Sequence, residues 1–144
     1  MGQVRELLRG RPWGLSYARV LAGEIGGYGP SLRALVQELA GLLESLPPEE
    51  SQTRWHLALA VARVAHTRMQ RLRAARTMSL LVEDESNALR CAAMEGMATL
   101  ALGEPSLREE AEALVEQFLW NGTPAMKARA RHMRKLLAKK HGER

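Results

Sequence analysis

Apolar helical segments recur along this chain at a nearly constant interval, and that recurrence restricts the fold more than any single motif does. Ala18, Leu57, Ala93 and Ala130 each fall in the second turn of a segment with helical periodicity, at intervals of 39, 36 and 37 residues. Seven residues beyond each lies another apolar residue: Ile25, Val64, Leu100 and Leu137. A step of seven returns to the same face of a helix, so each couple belongs to one buried stripe. A period near 37 residues accommodates two helices and their connections, and one such pair cannot bury its apolar face alone. Pairs stacked side by side, an α-solenoid, are what this period predicts.

Proline marks the joints. Pro12, Pro30, Pro47, Pro48, Pro105 and Pro124 break helix interiors but are tolerated in a first turn or just before one. Between them the pattern predicts helices at about 2–10, 13–26, 31–46, 50–66, 68–82, 86–102, 106–120 and 123–140. The clearest unit is Glu83–Gly103. Leu89, Ala93, Gly96, Met97 and Leu100 share one face, and Asp84, Ser86 or Asn87 can accept from the free N–H groups of its first turn. Ala, Leu, Arg and Glu dominate the composition, whereas strand-forming runs are missing.

Charge comes in blocks. Residues 1–50 hold five basic and six acidic groups; 51–80 hold six arginines and no acid. Residues 81–116 hold two arginines and nine acids, and 117–144 hold eight basic groups and one acid. Such alternation suits a chain whose neighbouring segments attract, or one with two differently charged partner surfaces. One cysteine, Cys91, excludes an internal disulfide. No apolar run approaches the roughly 18 residues of a membrane span, and charges interrupt the apolar residues of MGQVRELLRGRPW. A cytoplasmic protein without membrane insertion is expected.

The stretch Asp84–Leu100 resembles the second helix of a HEAT repeat. An acidic turn is followed by Leu89-Arg90, then Ala92-Ala93, Gly96-Met97 and Leu100. Residues 49–64 are similar, with Thr53-Arg54, and so are 122–137, with Met126-Lys127. Residues 12–26 depart most, with Leu15 where a basic residue is expected. The resemblance implies an all-α fold: a right-handed α-solenoid of about four antiparallel helix pairs, about eight helices, in one domain over 1–144. Residues 1–29 are then a degenerate N-terminal repeat or cap, 30–66, 67–103 and 104–140 the repeats, and 141–144 a tail. It also implies that Arg54, Arg90 and Lys127, at one repeat position, form a ladder of bonds to acidic groups or carbonyls in the turns, with Asp84 and Glu85 as natural partners.

Two binding surfaces compete. Ala58 and Met94, flanked by Trp55 and ringed by Arg19, Arg63 and Arg131, form an expected apolar patch on the inner, second-helix face, suited to a partner peptide or helix. Trp55 capping the core is the structural alternative, and Trp13 and Trp120 are expected in the core or between repeats. Arg68, Arg71, Arg73 and Arg76, with Lys127, Arg131, Arg134 and Lys135 of the last helix, are the alternative, a phosphate-binding surface for nucleic acid. Its structural counterpart is pairing with the acidic block at 104–116. A groove-lining nucleic-acid surface should be basic in every repeat, yet the residue after each repeat marker is Arg19, Ala58, Met94 and Arg131. His56, His66, His132 and His141 lack metal-ligand spacing, and no catalytic set stands out. The expectation is therefore a non-catalytic binding or scaffold module that recognises a protein or peptide, with nucleic acid as the alternative partner. No enzyme activity, cofactor, metal or small-molecule substrate is indicated.

Overall fold

In the computed structural model, which describes residues 32–142, every regular element is helical. The expected helices at 2–10 and 13–26, the N-terminal cap over 1–29 and Arg19 lie outside the described residues. Within them run α1 (Leu32–Ser45), α2 (Ser51–Val64), α3 (Arg68–Leu81), α4 (Asn87–Gly103), α5 (Arg108–Asn121) and α6 (Pro124–Gly142). A single 3₁₀ turn, Pro105–Leu107, precedes α5. The helix expected from residue 106 thus begins as a tighter turn, and α6 extends through two residues expected in a tail.

Local chemistry sets the starts. The Thr67 hydroxyl accepts from Gln70 N–H, and the Gln70 side-chain oxygen accepts in return from Thr67 N–H. This capping box satisfies two first-turn donors of α3. Of the three candidate caps for α4, Ser86 is the one used, its hydroxyl accepting from Leu89 N–H at 3.4 Å. Asp84 is drawn away and accepts from Ser86 N–H instead. Pro124 takes the first position of α6, and the Thr123 hydroxyl accepts from Met126 N–H.

The helices associate in consecutive pairs: α1 with α2, α3 with α4, α5 with α6. The second members form a row, α2 packing along α4 and α4 along α6. Among the first members, α1 packs on α3, and the Ser79 hydroxyl of α3 donates to Glu110 of α5. Ala18 and Ile25 lie outside the described residues; the other repeat markers lie in the core, Leu57, Ala93 and Ala130 fully buried and Val64, Leu100 and Leu137 nearly so. The core is mostly Ala, Leu and Met, with Phe118 the largest wholly buried side chain. Small residues let the helices approach closely. A Cβ on Gly96 of α4 would sit 2.5 Å from Met78 Sδ of α3 and 3.5 Å from the Ala62 Cβ of α2. Among the described residues, no helix is long and apolar enough to cross a membrane.

Gly122 joins α5 to α6 where the connection runs close against the last turn of α5. Its N–H donates to Phe118 O at 3.0 Å, and a Cβ there would lie 2.6 Å from that oxygen and 2.9 Å from Met126 Cβ. A backbone carbonyl cannot swing aside as a long side chain can. Gly122→Ala is expected to destabilise the fold by about 1–3 kcal/mol. The effect should appear as a lower urea midpoint with unchanged slope, and an unchanged midpoint would show that the connection relaxes freely.

Candidate partner-binding surface

The two arginines of the expected ladder converge on one turn, Val82–Asp84, rather than serving one turn each. Arg54 Nη2 of α2 donates to Asp84 Oδ1 at 2.6 Å. Arg90 of α4 donates from Nε to Val82 O at 3.1 Å and from Nη1 to Asn87 Oδ1, and its guanidinium lies 5.5 Å from the Phe118 ring centre. Lys127 makes no comparable side-chain bond among the described residues. The reason lies in the next connection. Gly122 and Thr123 offer no carboxylate where Asp84 stands in the preceding one, so Arg90 folds back to its own turn.

The apolar patch expected on the inner face is not a surface. Ala58 and Met94 are wholly buried. Glu95, one residue beyond Met94, pairs with Arg129 of α6 at 3.5 Å, so a neighbouring helix covers that flank of α4. Trp55 is half-buried against the core, its ring edge-on to His56 with centroids 4.3 Å apart. Arg63 and Arg131 are exposed. Trp120, expected in packing, is instead 74% exposed, and its indole N–H donates to Glu116.

The basic helix α3 is largely neutralised by its neighbours. Arg68 and Arg71 flank Glu104 at 3.4 and 3.7 Å, and Arg71 also donates to His66 O. Arg73 reaches Glu44 of α1 at 2.9 Å and the Thr77 hydroxyl at 2.8 Å. Thr77 also donates to Glu44, whose charge Arg76 further favours. Glu104 lies in the acidic block expected to take up these arginines; Glu44, from the near-neutral first block, was not anticipated. Only its place on α1, packed against α3, brings it within reach.

α6 is different. Arg131, Arg134, Lys135 and Lys139 are exposed, and none of them forms an ion pair among the described residues. Beside them, between α5 and α6, runs a groove of about 390 Å³ lined by Arg108, Glu112, Val115, Glu116, Arg134, Leu137 and Ala138. Sequence periodicity did not reveal this groove, because it depends on the spacing between two helices. Among the described residues, no group of three His, Cys, Asp or Glu side chains is placed to hold a metal ion. No protein-family profile, curated protein or solved structure matches the chain.

Two carboxylates tie the electrostatics to stability. Burial pushes Asp84 upward, but the Arg54 guanidinium and Ser86 N–H outweigh it, so its pKa is lowered. For Glu44, burial is likewise outweighed by Arg73, Thr77 and the Arg76 charge. A carboxyl whose folded pKa is depressed binds fewer protons folded than unfolded. Its contribution is complete above the unfolded values of about 3.9 for Asp and 4.3 for Glu, and is lost as pH falls through the folded values. Unfolding midpoints in urea should therefore fall steadily below about pH 4. The double substitution Glu44→Gln, Asp84→Asn should lower the neutral-pH midpoint and flatten that dependence. An equally steep acid limb in the double variant would assign it to other groups.

Proposed function

We propose that this chain is a non-catalytic binding module of HEAT-like α-solenoid architecture, and that it engages an acidic segment of a protein partner. The architectural part is supported by the resemblance of 84–100 to a HEAT second helix, by the consecutive pairing of helices and by the continuous row α2–α4–α6. The partner chemistry rests on one observation above the others: Arg131, Arg134, Lys135 and Lys139 of α6 are exposed and form no ion pair among the described residues, whereas Arg68 and Arg73 of α3 do.

That contrast also weighs against nucleic acid. A phosphate-tracking surface needs cations along its length. Here Arg68, Arg71 and Arg73 are engaged by Glu104 and Glu44, and the α2 and α4 positions equivalent to Arg131 are the buried Ala58 and Met94. Among the described residues, the exposed cations without an ion pair are concentrated on α6.

Titrating labelled single- and double-stranded DNA and RNA across salt tests the choice. At about 150 mM salt, nucleic-acid binding is expected to be weaker than micromolar, with a shallow salt slope set by a few phosphate contacts. Partner protein captured from a native extract should be lost with Arg131→Glu, Arg134→Glu, Lys135→Glu. Micromolar or tighter nucleic-acid binding at that salt, falling steeply as salt rises, would overturn the protein-partner assignment.

A further inference from the structure

The groove between α5 and α6 is floored by Val115 and Leu137, both almost wholly buried, and edged by the exposed Ala138. Its α5 wall carries two glutamates that are already occupied. Arg108 Nε donates to Glu112 Oε1 at 2.7 Å, and Trp120 Nε1 to Glu116 Oε1 at 2.8 Å. Arg108 also donates to Leu137 O at 2.6 Å, which fixes the far end of the groove. Its α6 wall is Arg134, which forms no ion pair or side-chain hydrogen bond among the described residues. Lys127, Arg131, Arg134 and Ala138 follow one another at steps of four, three and four residues, so they lie along one edge of α6. Arg129 faces Glu95 of α4, and at about 100° per residue the Arg134–Ala138 edge is turned away from α4. Trp120 stands one turn beyond Glu116 on the opposite lip, exposed.

These features form a trough with an apolar floor, one unneutralised cationic lip and an exposed tryptophan. The twelve residues from Lys127 to Ala138 span about 16 Å of helix axis, or three turns. A trough between two packed helices is shaped for the ridge of a third.

We propose that this groove is the docking site for an acidic amphipathic helix of a partner protein. About three turns of that helix place apolar residues at i, i+3, i+4 and i+7 on Val115, Leu137 and Ala138. Its carboxylates lie along Lys127, Arg131 and Arg134, and Trp120 covers one end, Trp and Arg being the residue types that most often dominate such interfaces. The assignment rests on the binding-module function proposed above and adds its site and the class of occupant.

The test is a selection from a displayed library of helix-forming peptides of about 16 residues, long enough for four turns, against the full chain at about 150 mM salt. Peptides carrying Asp or Glu beside a helical leucine stripe are expected. Ala138→Trp fills the groove from an exposed position, and Arg134→Glu reverses its lip. Each should weaken the selected peptides by about tenfold or more, the scale of a lost hot-spot contact. Arg63→Glu, on α2, should leave them unchanged, and helical melting of all three variants checks their folding. Selected peptides that bind Ala138→Trp and Arg134→Glu as well as the parent would overturn the groove while leaving the module function standing. Basic or uncharged winners would overturn the charge complementarity. A dimer in sedimentation that Ala138→Trp dissociates would give the groove to a second copy. Recovery of no peptide at all, together with tight nucleic-acid binding, would overturn the site and the module function together.

Discussion

α4 packs against α2, α3, α5 and α6, and the rest of the described structure depends on that shared burial. A helix enclosed by four others cannot keep a wide polar face. Leu89, Ala92, Ala93, Met94, Gly96, Met97, Ala98, Leu100 and Ala101 are all buried, and only small side chains let so many neighbours approach. Alanine and glycine supply the close contacts, and methionine, unbranched and adaptable, fills the irregular gaps. With few aromatics in the chain, the core gains its buried area from close helix packing rather than from large rings.

Charge then fixes how the pairs sit. Arg54 to Asp84 and Arg73 to Glu44 each join residues about thirty positions apart, so each ties one pair of helices to the next. Partly buried ion pairs of this kind recover little net free energy after desolvation, but breaking one strands a charge. Each pair therefore penalises any arrangement of the helices that separates its two partners. The Val82–Asp84 turn, held from α2 by Arg54 and from α4 by Arg90, is where this constraint is tightest.

Much of this was legible in the sequence. The seven-residue couples from Leu57 to Leu137 marked core positions, because a helical stripe must be buried wherever it recurs. The prolines marked the joints and Ser86 was among the expected caps, because capping is local chemistry. Ala58 and Met94 were misplaced for the opposite reason. Whether the residue beside a marker is covered depends on the next helix, which single-helix periodicity does not contain. Arg131 holds the same register position as Met94, yet it is exposed where Met94 is enclosed. Trp120 shows the same limit: its ring invites a core assignment, but its lip of α5 has no described neighbour to cover it.

That uncovered side poses two demands that conflict. An exposed helix face is kept polar to limit association, and Arg131, Lys135 and Lys139 make that of α6 so. Yet α5 and α6 still leave Val115 and Leu137 at the bottom of an open groove, with an exposed tryptophan at its lip. A longer side chain at the exposed Ala138 would close that groove. Alanine there leaves the groove open, beside cations that form no ion pair among the described residues. The combination suits a surface that receives a further helix better than one that only excludes it.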